Sequence, residues 1–266
     1  MTGNAVRAQR RDAGLWLTLD RPEAGNAINP DVVSGLGKAL DEAHRDAAIR
    51  AVVIGAAGPL FCAGADLKYV HELAAAPPEQ ARAQQDAFLG DVGRLFRRIE
   101  TFGKPVIAAV RGLAVAGGLE LVLACDLVVA TRSARFGDMH ANFGMLPGGG
   151  ASVRLPRRVG PSTAKYLMFS GQAMTAEQLA ATDLVTLLVD DTEFESTTTA
   201  LVRQIAAKSP LGITTMKRLV AEAADAPLPE SLQAELTALG DYARSHDFAE
   251  GLAAFVAKRT PEFTGR

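Results

Sequence analysis

Cysteine is scarce in this 266-residue chain: there are two, Cys62 and Cys125, and both lie inside apolar runs. Two such residues do not make a disulfide framework, and they read as small buried hydrophobes of a reduced, cytosolic protein. An excess of charge of one sign is also missing. The formal net charge is -2, which gives no electrostatic reason to expect a nucleic-acid partner or an anionic membrane surface. No apolar run is long enough to cross a bilayer: the longest, Leu121 to Ala130, is broken by Asp126. The opening "MTGNAVRAQRRDAG" lacks the apolar core of a signal peptide. CxxC, HExxH and GxxxxGK[ST] do not occur, so the sequence offers no metal site. The "GLG" at Gly35 begins like a dinucleotide fingerprint, but Leu40 stands where the third glycine belongs.

What is present is a chain of ordinary globular composition, 48% hydrophobic and 22% charged, long enough for one large domain or one domain with an appendage. "LWLTLD" reads as a short strand ended by Arg21–Pro22. Asn29 caps a helix that begins at Pro30. "AVVIGAAG", "KPVIAAVRG" and "LVVAT" read as buried strands, "QQDAFLGDVGRLFRRIETF" and "GGLELVLACD" as helices, and "AAAPPEQ" as a surface loop. Buried strands alternating with helices predict a parallel α/β architecture. From Pro161 onward the segments are nearly all helical, so the division expected is residues 1–160 as the α/β core and residues 161–266 as a helical region.

Two glycine-bearing turns follow consecutive strands: "PLFCAGADLKYV" and "RGLAVAGGLELVLACDL". Each leads into a helix whose first N–H groups have no partner in the helix. One such turn is ordinary strand–helix packing. Two at neighbouring strand ends can converge into an oxyanion hole. Glu120 follows Gly117 by close to one helical turn, among Leu119, Leu121, Val122 and Leu123. A carboxylate there needs a task or a partner. Burial raises its pKa toward the range of proton transfer, and a buried salt bridge is the other role open to it.

These residues carry a resemblance. "LTLDRPEAGNAIN", "FCAGADLK", "KPVIAAVRGLAVAGGLELVLACDLVVAT", "ARFGDMHANFGMLPGGGASVRLPRRVG" and "SHDFAEGLAAFVAKRTPEF" resemble the crotonase, or enoyl-CoA hydratase/isomerase, superfamily over essentially the whole chain. The resemblance implies an α/β fold, a crotonase-like spiral of ββα turns followed by a helical C-terminal trimerisation region. It implies an acyl-CoA thioester substrate, no cofactor beyond the coenzyme A that the substrate carries, and a homotrimer or homohexamer.

On the matching positions, Ala65 and Gly117 supply the amides of the oxyanion hole. Ala63, Ala65, Asp66, Leu67 and Lys68 form the CoA-contacting stretch, with Lys68 either meeting a phosphate or solvated at the surface. The first acid/base group matches Glu120. The second falls on the motif FGxPE, which reads "FGDMH" here, so His140 replaces a glutamate. An imidazole moves a proton near neutral pH with less tuning than a carboxylate. Asp138, two residues before it, can orient the ring if the chain there is extended, and is the alternative second group. Gly148 matches an amide used near the catalytic water. Tyr69–Phe88 and Phe143–Met145 are the segments expected to line an acyl pocket. The activity implied is hydration of a 2-enoyl-CoA to a 3-hydroxyacyl-CoA. The changed second group leaves isomerisation, decarboxylation or carbon–carbon hydrolysis as alternatives, and a non-catalytic binding protein as a further one.

Overall fold

The computed structural model describes residues 5–266. Strand β1 (Val6–Arg11) pairs antiparallel with β2 (Gly14–Leu19). Helix α1 (Pro30–Arg45) starts as the sequence predicts: the Asn29 side chain accepts from the Val32 amide at 3.0 Å, and Pro30 fills the first helical position. The chain continues through β3 (Ala51–Ala56), α2 (Leu67–Ala74), α3 (Pro78–Glu100), β4 (Val106–Val110), β5 (Leu113–Val115), α4 (Gly117–Leu123), β6 (Leu127–Thr131) and β7 (Arg135–Gly137). After a short 3-10 turn at His140–Phe143 come α5 (Ala151–Val159), α6 (Pro161–Ser170), β8 (Ala173–Thr175), α7 (Ala176–Leu179) and β9 (Leu187–Val189). The chain closes with α8 (Phe194–Ala206), α9 (Pro210–Ala223), α10 (Leu228–Tyr242) and α11 (His246–Ala257).

The main sheet runs β1-β2-β3-β4-β6-β9, parallel from β2 onward. Its order follows the chain and never reverses, so there is no switch point of the doubly wound kind. A second sheet, β5-β7-β8, grows beside it. In two successive turns of the chain one strand of the first sheet is followed by one of the second and then by a helix: β4, β5, α4, and next β6, β7, α5. This is the α/β spiral of ββα turns that the resemblance implies.

The apolar strands are continuous because both faces are covered. Val52 and Ile54 point into the larger core, while Ala51 and Val53 point the other way, onto Val202, Leu201 and Ile205 of α8. That second face corrects the division at residue 160. Strand β9 completes the main sheet beyond that point and β8 completes the small one, so the unbroken helical run starts only at α8. The loop expected at "AAAPPEQ" is likewise shorter. Pro78–Gln80 is the first turn of α3, where a proline costs no hydrogen bond.

Helix α9 is pinned to this core by one ion pair. The Lys217 Nζ donates to Asp126 Oδ2 at 2.7 Å and to the carbonyls of Lys104 and Ile99, and Asp126 also accepts from the Val106 amide at 2.7 Å. Burial pushes the Asp126 carboxyl up despite Lys217. Replacing Asp126 with Ala strands the lysine and an amide together. It is expected to lower stability by about 2–3 kcal/mol, less than a fully buried pair because both side chains keep some contact with water. The check is a chemical-denaturation midpoint, and an unchanged midpoint means α9 docks without the pair.

Candidate active site

The two glycine-bearing turns do come together. The Ile28 amide donates to the Gly64 carbonyl at 2.7 Å and the Asp66 amide to the Ile28 carbonyl at 2.9 Å. This one-residue parallel bridge spans Ala65 and leaves its own N–H free of backbone acceptors among the described residues. The free amide is thus a product of the bridge, not of the helix end. The amides of Lys68 and Tyr69, in the first turn of α2, are taken by the Asp66 side chain at 3.2 and 3.3 Å.

Gly117 is the first residue of α4, and its N–H points out of the helix with no acceptor among the described residues. Ala116 before it has φ 49° and ψ -123°, a conformation an alanine adopts only under strain. Gly64, at φ 101°, must be glycine for a second reason: a β-carbon there would stand 2.8 Å from that of Ala116 and 3.2 Å from the Gly117 nitrogen. A β-carbon on Gly117 would stand 3.3 Å from the Ala65 nitrogen. The two free amides are therefore neighbours, as an oxyanion hole requires.

Glu120 is 3% exposed, and every residue of α4 is buried. Among the described residues it forms no salt bridge. Its Oε1 accepts instead from the amides of Gly149 at 2.7 Å and Ala151 at 3.0 Å, where α5 begins. Its pKa is raised because burial disfavours the anion; the Ala151 and Gly149 amides and His140 oppose that, and Asp138 adds to it.

His140 is present beside Asp138, but by a different backbone from the extended one expected. Strand β7 ends at Gly137, Met139 turns left-handed at φ 58°, and the 3-10 turn begins at His140. The turn brings Nδ1 of His140 to 3.1 Å from Oδ2 of Asp138, off the line of an ideal hydrogen bond, and neither atom has another partner among the described residues. The His140 amide lies 3.4 Å from Asp138 Oδ1. Burial disfavours the imidazolium, but Asp138 and then Glu120 outweigh it and raise the His140 pKa. With Nδ1 on Asp138, Nε2 is the nitrogen left for proton transfer.

The remaining expected residues divide. Asp66 is committed to the scaffold: besides capping α2 it pairs with Arg21 at 2.9 Å, and Arg21 with the α2 amides holds its carboxyl low against burial. Ala63, Leu67 and Lys68 are exposed beside Ala65, and Lys68 forms no ion pair among the described residues. Tyr69 and Phe88 meet edge to face at 5.1 Å and help line a cleft of about 530 Å³ between α1, α2 and α3. Phe143, at the end of the His140 turn, and Met145, just after it, are exposed.

Gly148 is exposed and its amide has no acceptor among the described residues. Gly149 and Ala151 are the residues that hold Glu120, and the sequence reading did not name them. The signal available was the glycine-rich turn immediately before a helix. Gly149 is irreplaceable there, since a β-carbon would come within 2.6 Å of Glu120 Oε2 and of Phe96.

The raised pKa of His140 has a sign that can be checked. Its proton contributes stability that is full below the ordinary histidine value of about 6.5 and is lost as pH rises through the folded value. NMR titration of the imidazole is expected to give a midpoint above 6.5. Asp138→Asn should bring the midpoint down and flatten the loss of stability over the same pH window. A midpoint unmoved by Asp138→Asn would show that the pair is not coupled.

Comparison with known proteins finds relatives along nearly the whole chain. The enoyl-CoA hydratase/isomerase family profile matches residues 11–266. The 2,3-dehydroadipyl-CoA hydratase of Escherichia coli is 36% identical over 258 residues, 97% of each chain. The 1,2-epoxyphenylacetyl-CoA isomerase of the same organism is 34% identical over 252 residues, 95% of each. The crystal structure of an enoyl-CoA hydratase from a Polaromonas species superposes with a TM-score of 0.92 at 32% identity, covering 97% of this chain and 99% of that one. By sequence and fold, this chain belongs to the enoyl-CoA hydratase/isomerase family.

Proposed function

We propose that this protein adds water across the double bond of a 2-enoyl-CoA thioester to give a 3-hydroxyacyl-CoA. The observation that carries the reading is Glu120, with one carboxylate oxygen pinned by two amides and the other free, electrostatically coupled to the His140–Asp138 pair. The thioester oxygen is taken by the Ala65 and Gly117 amides, which bind it more strongly as charge develops. Ionised Glu120 removes a proton from water, and the oxygen of that water bonds to C3. The electron pair of the double bond moves toward the thioester, forming the enolate. Protonated His140 then delivers a proton from Nε2 to C2, and the proton on Glu120 passes back to His140 through solvent. The addition is redox-neutral and calls for no metal and no cofactor, coenzyme A entering as part of the substrate.

Isomerisation is the second reading. It is favoured by the imidazole in place of a carboxylate. There Glu120 alone shuttles a proton between two carbons of the acyl chain.

The test follows the loss of enoyl-thioester absorbance with crotonyl-CoA and a longer enoyl-CoA. Wild type is expected to consume them. Glu120→Gln and His140→Ala should each lower kcat by about 10²–10⁴, the usual contribution of a general acid or base. His140→Glu should recover part of the activity. A fully active His140→Ala with a dead Glu120→Gln would replace hydration by the one-residue isomerase mechanism.

We further infer assembly into a homotrimer or homohexamer. Leu228, Leu232, Leu236 and Leu239 repeat at helical spacing along α10 and are all more than half exposed, as are Leu252, Phe255 and Val256 on α11. Analytical ultracentrifugation should give a trimer or a dimer of trimers at micromolar concentration, and a stable monomer would refute it.

A further inference from the structure

We propose that Arg154 is a positioning residue for the site: locked on Glu100, it holds the backbone at Gly149 so that the Gly149 and Ala151 amides stay aimed at one oxygen of Glu120. The inference rests on the reading of Glu120 as the acid/base group.

Arg154 is in the second turn of α5, and its side chain folds back over the helix start. Its Nε and Nη2 donate to the two oxygens of Glu100, each at 3.0 Å, and Nη1 donates to the Gly149 carbonyl at 2.7 Å. Glu100 is the last residue of α3, and Phe96, one turn earlier, backs the Gly149 α-carbon. The end of α3 therefore grips the turn from behind while Glu120 faces it from the front.

The grip matters because of where the peptide planes lie. Three consecutive planes run from Gly148 to Ala151. The first carries the Gly149 N–H and the third the Ala151 N–H, the two donors to Glu120. The middle plane carries the Gly149 carbonyl that Arg154 holds. Gly149 and Gly150 are the hinges between these planes, and glycine hinges turn freely. The Gly150 carbonyl, in the plane of the Ala151 N–H, is fixed by the Val153 and Arg154 amides at 3.1 and 2.9 Å, whereas no such bond fixes the plane of the Gly149 N–H among the described residues, so its hold comes through the neighbouring Gly149 carbonyl from the Arg154 side chain. A planar fork bonded on both arms to a carboxylate has a fixed direction for its third donor, which a lysine lacks. The charged groups facing Glu120 are His140 and Asp138 from the turn after β7 and Arg154 from α5, with Glu100 of α3 behind the arginine.

The test reads Glu120 directly, by carbon-13 NMR titration of glutamate carboxyls assigned against Glu120→Gln, alongside kcat and KM for crotonyl-CoA. Arg154→Met is expected to raise the Glu120 midpoint, because amide donors favour the anion and one or both are lost. It should lower kcat by about tenfold or more while KM stays within about threefold, the pattern of a group aligned for the transition state. Arg154→Lys keeps the charge but loses the fork, and should retain most of the displacement. Full restoration by lysine would reduce the arginine to a charge and overturn the proposal. Should Arg154→Met fail to fold, Glu100→Gln, which weakens the grip without removing the arginine, must shift the midpoint in the same direction by less. An unmoved midpoint in the folded variant overturns it. Shifted midpoints in a protein inert toward enoyl-CoA esters would instead sink the hydratase reading and leave the positioning role standing.

Discussion

A carboxylate almost wholly removed from water needs partners for its lone pairs, and Glu120 finds them in the turn between Gly148 and Ala151. This bond joins α4 to the start of α5, and most of the surrounding architecture is arranged around it. The residues of α4 are all buried because the helix fills the space between the two sheets and α5. The Ala151 amide is one that any helix start leaves unpaired, and the Gly149 amide lies in the turn just before it, so the bond satisfies both sides. Without them the anion would carry the full cost of burial. With them the anion is tolerated, but its affinity for a proton stays raised.

The second half of the site follows from the first. Burial works against the charged form of His140, but Asp138 and, to a smaller extent, Glu120 favour it and raise its pKa. Glu120 and the imidazole are thus coupled, and a change of charge at one is felt at the other. The left-handed Met139 makes the set compact, because it folds the chain back so that Asp138 reaches the ring two residues on. The strain at Ala116 plays the parallel part on the opposite side of Glu120, setting the direction of the Gly117 amide.

Elements with local signals were legible in the sequence. Asn29 and Pro30 mark the start of α1 unambiguously, and the apolar runs of β3, β4 and β6 announce strands buried on both faces. Strands β5, β7, β8 and β9 have three residues each, too few for a period to show, and they exist because of partners far along the chain. That is why the boundary placed at residue 160 fell too early. Strand β1, "VRAQRR", is polar and almost entirely exposed, an edge strand without an apolar face to read. In the site, Glu120 was visible as a charge in an apolar helix, while Ala65, Gly117 and His140 drew their roles from the family resemblance. The amides of Gly149 and Ala151 were not visible, since a backbone donor has no side chain to advertise it. Nor was the contact between Arg154 and Glu100, whose two residues look like ordinary surface charges until the fold brings them together.

The order of the main sheet bears on how the chain can be made. Each strand from β2 onward pairs with a strand already behind it in the chain, so the sheet can lengthen at one growing edge as residues leave the ribosome. Domains acquire structure from the N-terminus at the pace of translation, about 5–20 residues per second. Ala65, Gly117, Glu120, His140 and Gly149 all precede α6, so every group of the site is synthesised before the long C-terminal helices exist. Those helices arrive last, and their exposed apolar faces become available for association only after the spiral they decorate has been translated.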